Sequence, residues 1–223
     1  MLGFVWYVSY GSNTHADRLG CYIAGGRPAG ACRTYPGCRD RTAPRRSRGT
    51  LLAGGIHFAT HSPVWDGGRA LYDPHLPGTA AARAWLVTPG RFADIAAQEM
   101  YRDPDGDLDL AEVLRTGRVV LGPGRYETLL HAGDVDGYPQ LTFTAGHRCG
   151  DVEPVAPSAA YLRMLAGGLG QAHGWSLTEA ADYLASLPGA APHWSPETIA
   201  HACTTPPADT EPDVELDREV GER

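Results

Sequence analysis

Lysine is missing from this chain altogether: all 19 basic residues among its 223 are arginine. Schiff-base chemistry, a Walker-type phosphate lysine and every other mechanism that needs a side-chain amine are excluded with it. No apolar run approaches the ~18–20 residues of a membrane helix. The apolar opening, residues 2–10, has neither a basic flank nor a small-residue cleavage site, so a signal peptide is not expected. Cysteine is scarce, at Cys21, Cys32, Cys38, Cys149 and Cys203. The number is odd, no CxxC occurs and no spacing fits a zinc site. Reduced thiols in a cytoplasmic protein are the simplest reading, with a reactive Cys38 as the alternative.

What is present is ordinary for a soluble globular protein: 43% apolar and 20% charged residues. The length suits one domain with one core. Charge is uneven. Residues 205–223 carry −5 of the chain's −7, leaving −2 for residues 1–204. The acidic, Pro-rich end has the composition of a disordered tail, so we expect a single domain over 1–204 and a tail over 205–223. The near-neutral remainder argues against nucleic acid as a partner.

Residues 4–10 (FVWYVSY) read as a buried strand, dense in aromatic and β-branched side chains. The strand stops at Gly11-Ser12-Asn13, and a helix over 15–24 is expected, capped by Asn13 or Thr14. Residues 27–49 read as a long loop rich in Pro, Gly and Arg. Three apolar stretches between Thr50 and Thr88 read as strands. Thr88-Pro89 then opens a helix, Thr as N-cap and Pro at the first helical position. A short helix over 110–116, a hairpin around Asp136-Gly137 and helices over 158–173 and 177–187 complete the pattern. Strands first and helices late suggest an α+β fold on a mostly antiparallel sheet or barrel.

Two places invite chemistry. At Tyr10-Gly11-Ser12-Asn13 a buried strand breaks before a helix start, which turns several backbone N–H groups one way and suits a carboxylate or phosphate. It is equally the chemistry of an ordinary turn. Glu99 shares the helical stripe of Phe92, Ile95 and Ala96 and lies near the negative end of its helix. Burial and dipole both disfavour its ionised form, which would raise its pKa toward that of a useful base. The plain alternative is a Glu at the stripe's edge that reaches water.

The YGSN turn after the first strand, the mid-chain helical acid, Gly124-Arg125-Tyr126, the segment Ser62–Gly68 with Ala70, and the late helix with Pro157–Leu162 together resemble the γ-glutamylcyclotransferase-like family. The resemblance spans about residues 5–187. It implies a small antiparallel barrel or sheet flanked by helices, with no metal and no organic cofactor. It also implies that Tyr10, Gly11, Ser12 and Asn13 receive the glutamyl end of a γ-glutamyl amide, and that Glu99 acts as general base. The substrate's own α-amine would attack its γ-carbonyl, closing 5-oxoproline and releasing an amine, in some members as a biosynthetic deprotection. Because nucleophile and electrophile are already tethered, no protein nucleophile is needed. Tyr126 either orients the substrate or packs in the core. A non-catalytic binding module on the same fold, or a related amide hydrolase or acyltransferase, are the alternatives.

Arg39, Arg41, Arg45, Arg46 and Arg48 put five guanidiniums in ten residues. They form either a solvated loop or, through Arg39 and Arg41, a rim steering an anionic substrate. His57 and His61 have H-x3-H spacing but lie in a strand-like context, which points to structural or solvent-facing histidines rather than metal ligands. Ser12 lacks a G-x-S-x-G setting, so a serine hydrolase is not expected.

Overall fold

The aromatic run at residues 4–10 becomes strand β1 (Val5–Ser9), and all five of its residues are buried. In the computed structural model, which describes residues 3–28, 31, 33–191 and 193–205, β1 lies inside a six-stranded sheet and is covered on both faces. Trp6 and Val8 enter one apolar cluster, while Val5 and Tyr7 enter another. A strand buried on both faces reads as a continuous apolar run, not an alternating one.

Along the chain come α1 (Ala16–Ala24), β2 (Arg46–Ala53), β3 (Gly55–Ser62), β4 (Gly67–Asp73), β5 (Thr79–Val87) and α2 (Pro89–Glu99). They are followed by α3 (Ala111–Thr116), β6 (Arg118–Val120), β7 (Thr128–Val135), β8 (Tyr138–Thr144), α4 (Ala159–His173), α5 (Leu177–Ser186) and α6 (Pro196–Thr204). The sheet order is β2-β5-β1-β8-β7-β6, with β3 and β4 as a separate ladder. β1 pairs antiparallel with β5 and parallel with β8. The fold is α+β, and among the described residues the sheet stays open, with β2 and β6 as edges, rather than closing into a barrel. The two ladders meet where Thr144 Oγ1 accepts from the Tyr72 backbone N–H at 3.1 Å and donates to the Tyr72 carbonyl at 2.8 Å.

Helices cover both faces. Leu162, Leu165 and Leu169 of α4, Leu184 of α5 and Ile199 of α6 pack against Trp6, Val8 and the alanines of β5. On the other face, Leu19, Tyr22 and Ile23 of α1 and Phe92, Ile95 and Ala96 of α2 meet Val5, Tyr7, Leu141 and Phe143. No helix among the described residues is long and apolar enough to cross a membrane.

Several expectations change. The 27–49 loop ends early, because β2 starts at Arg46 as an edge strand whose first residues face solvent and so show no apolar pattern. The stretch from Thr50 contributes to two strands, not one. Helix α1 is capped by His15, whose Nδ1 accepts from the Asp17 N–H at 3.3 Å. Asn13 is unavailable as a cap because Ser12–Thr14 form a 3₁₀ turn and its amide is used elsewhere. At the predicted hairpin, Asp136 and Gly137 adopt φ of 54° and 78°, the pair of positive values that the tight turn between β7 and β8 requires. The acidic tail falls almost wholly outside the described residues.

Candidate functional site

Where β1 ends, its chain direction carries Tyr10–Asn13 to the mouth of a cleft enclosing about 570 Å³, open side included. Tyr10, Gly11, Ser12, Asn13, Glu99 and Tyr126 all line it. The 3₁₀ turn spends the N–H groups of Thr14 and His15 on the carbonyls of Gly11 and Ser12, each at 3.0 Å. The N–H groups of Gly11, Ser12 and Asn13 are not used by the turn itself. Gly11 allows a close approach: a Cβ there would sit 3.3 Å from the Tyr161 hydroxyl.

Helix α2 brings Glu99 to the same place. Thr88 caps the helix, its Oγ1 accepting from the Arg91 N–H at 3.3 Å, and Phe92, Ile95 and Ala96 fix its rotation by packing under the sheet. Glu99 is the last residue of α2, so its carboxylate projects from the helix end into the cleft. There Asn13 Nδ2 donates to Glu99 Oε1 at 3.0 Å and to the Tyr7 hydroxyl at 3.2 Å. Asn13 is 2% exposed, and the Trp85 indole N–H holds its carbonyl at 2.9 Å. Glu99 is only partly buried, its open side being the cleft itself. Desolvation by the surrounding protein raises its pKa above the ordinary carboxyl value, while Arg18, the Tyr22 hydroxyl, Arg33 and Arg69 pull it back.

The tyrosines act as walls more than as donors. The Tyr10 hydroxyl donates to the Phe143 carbonyl at 2.8 Å and that of Tyr126 to the Ala70 carbonyl at 3.1 Å. Tyr161 of α4 is 2% exposed and also lines the cleft, stacked on Trp65. The Ser12 hydroxyl accepts from Arg18 Nε at 3.2 Å. A guanidinium cannot take a proton from serine, so this neighbour does not make a nucleophile of Ser12.

Arg39 and Arg41 are not brought to the cleft. Arg39 pairs with Asp94 at 2.8 Å and Asp107 at 2.5 Å, and Arg41 donates to the Pro36 carbonyl at 3.2 Å. Their guanidiniums tie the loop after α1 to its surroundings. Among the described residues the arginines that do line the cleft are Arg18, Arg69 and Arg125; the sequence singled out neither Arg18 nor Arg69, and named Arg125 only as the middle residue of Gly124-Arg125-Tyr126. Arg18 sits buried on α1, five residues after Asn13, and nothing local to that helix marks it as part of a site. Cys38 is 3% exposed and burial pushes its thiol up to about 12, which removes the reactive-cysteine alternative.

His57 is buried and His61 is exposed beside Asp66 at 3.0 Å. A bulge at Thr60, with φ of 53°, puts the two histidines out of phase along β3. Among the described residues no group of three or more His, Cys, Asp or Glu is placed to hold a metal ion.

No family model matches the chain. Among curated proteins it is 28% identical over 198 residues to histone deacetylase 5 of Arabidopsis thaliana, a match covering 81% of this chain and 30% of that protein. The chain therefore spans less than a third of that relative's length. Among solved structures, a gamma-glutamyl cyclotransferase aligns with a TM-score of 0.47 at 15% identity, covering 90% of this chain and 98% of the other. An uncharacterized protein from Homo sapiens aligns with a TM-score of 0.48 at 15% identity, covering 91% and 99%.

Proposed function

We propose that this protein is a γ-glutamylcyclotransferase-like enzyme that releases an amine from a small γ-glutamyl amide without a cofactor. The observation that carries the reading is the meeting of one carboxylate of raised pKa, Glu99, with the Tyr10–Asn13 turn across a single cleft. Glu99 takes a proton from the substrate's α-ammonium, and the freed amine attacks the γ-carbonyl carbon. A C–N bond closes the five-membered ring, and the carbonyl oxygen carries the negative charge of the tetrahedral intermediate beside the N–H groups of the turn. On collapse the exocyclic C–N bond breaks, Glu99 gives its proton to the departing nitrogen, and the second proton of the ring nitrogen passes through Glu99 to the same amine, which leaves as an ammonium. The products are 5-oxoproline and the amine, and no water is consumed. The tether between nucleophile and electrophile supplies the orientation that a protein nucleophile would otherwise provide. The free thiols of Cys21, Cys38, Cys149 and Cys203 fit a cytoplasmic setting, and the same reaction would serve as a deprotection step in biosynthesis.

The test is turnover of a panel of γ-glutamyl amides in H₂¹⁸O, with mass spectrometry of the acid released. Unlabelled 5-oxoproline is expected, and an N-acetylated γ-glutamyl amide should be inert because its nucleophile is blocked. Appearance of ¹⁸O-labelled glutamate, or cleavage of the N-acetylated compound, would make the protein a hydrolase and overturn the reading.

A further inference from the structure

Arg18 is 2% exposed, and its guanidinium lies inside the cleft among the rings of Tyr22, Tyr35 and Trp65, 4.6, 4.4 and 5.4 Å from their centroids. Its Nε donates to the Ser12 hydroxyl at 3.2 Å, and its Nη2 donates to the Tyr35 hydroxyl at 2.6 Å and the Tyr22 hydroxyl at 3.3 Å. Its Nη1 is buried without a partner. None of the ion pairs among the described residues includes Arg18. A guanidinium stays charged at any working pH; Glu99 attracts it within the cleft but makes no hydrogen bond to Nη1, and an idle buried donor is costly until an acceptor reaches it. Three contacts and three rings hold the guanidinium still in the cleft wall before any ligand arrives.

We propose that Arg18 Nη1 anchors the α-carboxylate of the glutamyl unit. The inference rests on the cyclotransferase reading above and assigns the group that recognises the substrate's amino-acid end. Two features choose that carboxylate over one on the departing amine. Arg18 holds Ser12 of the same turn whose Asn13 holds Glu99, so the cation and the base act at one end of the cleft. The α-amine that Glu99 must deprotonate and the α-carboxylate sit on a single carbon, whereas the departing amine lies three carbons further along. One negative and one positive side chain thus match the two charges of an amino-acid head. This orients the amine toward the γ-carbonyl behind it.

The experiment compares two substrates that carry the same amine: the γ-glutamyl amide and the 4-aminobutyryl amide, which keeps nucleophile and carbonyl and lacks only the carboxylate. The wild type should prefer the glutamyl amide in kcat/KM on the order of 10²-fold, the scale of a buried charge-assisted contact. In Arg18→Gln that preference should fall to within a few-fold of one, and Arg18→Lys should retain part of it. Direct calorimetry on the wild type alone adds a reading independent of turnover and of any folding defect: 5-oxoproline should bind and 2-pyrrolidinone should not. Equal handling of the two amides by the wild type, or an undiminished preference in folded Arg18→Gln, overturns the anchor. If no γ-glutamyl amide is turned over while 5-oxoproline still binds the wild type and not Arg18→Gln, the anchor stands and the cyclotransferase reading falls.

Discussion

Asn13 Nδ2 and Glu99 Oε1 stand 3.0 Å apart, 86 positions apart in sequence. The contact fixes which way the Asn13 amide faces. An ionised carboxylate only accepts, so the NH₂ end must point at Glu99, and Oδ1 is left buried without a partner. In this orientation Asn13 favours the charged form of Glu99, against the desolvation that favours the neutral one.

That opposition sets the pH dependence of turnover. Glu99 must be ionised to act as base, so kcat/KM should rise through an acid limb lying above the ordinary carboxyl range. Asn13→Ala removes a donor to the charged form and should move the limb to higher pH. Glu99→Gln should lower the rate about 10²–10⁴-fold and abolish the limb. A limb that survives in Glu99→Gln would assign the base to another group.

Stability should move the opposite way. Glu99 binds its proton more tightly in the folded chain than in the unfolded one. Below the ordinary carboxyl value of 4.5 both states hold the proton. As pH climbs beyond it the unfolded chain ionises first, so stability falls until the folded carboxyl has ionised too. Above the folded carboxyl's own pKa the wild type carries that whole deficit. Thermal melts of Glu99→Gln should match or exceed the wild type at pH 7, with the gap closing toward pH 4. A clear loss at pH 7 would mean that attraction to Arg18 outweighs desolvation.

Cys38 donates its thiol to the Tyr22 carbonyl at 3.3 Å beneath the loop, with its pKa pushed to about 12 by burial and further by Asp94. Iodoacetamide at pH 8 should leave it unmodified in the native protein, while the partly exposed Cys21 reacts. Peptide mapping after a short exposure decides this, and rapid labelling of Cys38 would contradict its packing.

Arg39→Ala unpairs Asp94, whose side chain is 1% exposed, although the Arg39 backbone N–H still reaches Oδ2 at 2.8 Å. Because the Arg39 side chain is itself 42% exposed, the expected cost is modest, about 1–2 kcal/mol in denaturant melts. Turnover should stay within about threefold of the wild type. A large rise in KM with unchanged stability would restore Arg39 to the substrate's path.

Legibility in the sequence followed local chemistry. Thr88-Pro89 announced α2, and Asp136-Gly137 announced its hairpin, because each signal is complete within a few residues. Helix α6 was missed although Ser195-Pro196 repeats the Thr88-Pro89 signature and Thr198 completes a capping box. Strand β6 has three mostly exposed residues and shows no periodicity to find. Tyr10–Asn13 and Glu99 were legible as candidates, since a broken apolar strand and an acid on an apolar stripe are each anomalies in their own surroundings. Arg18 was not, because an arginine on a short helix is unremarkable until Tyr35 and Trp65 arrive from elsewhere in the chain to bury it. The Arg39–Arg48 run stayed open between solvated loop and substrate rim for the converse reason: density of charge along a sequence does not say where each guanidinium finds its partner.

The parallel pairing of β1 with β8 has a consequence for synthesis. Trp6 meets Gln140 and Tyr7 meets Leu141, and the Tyr10 hydroxyl finds the Phe143 carbonyl 133 positions away. At a translation rate of about 5–20 residues per second, β1 is exposed for roughly ten seconds before that partner emerges. Through that interval one edge of an aromatic, uncharged strand is open to any other extended chain, the hazard that unpaired edges pose. The nascent protein should therefore depend on early capture of β1 by β5, or on a chaperone that holds it, more than its final packing would suggest.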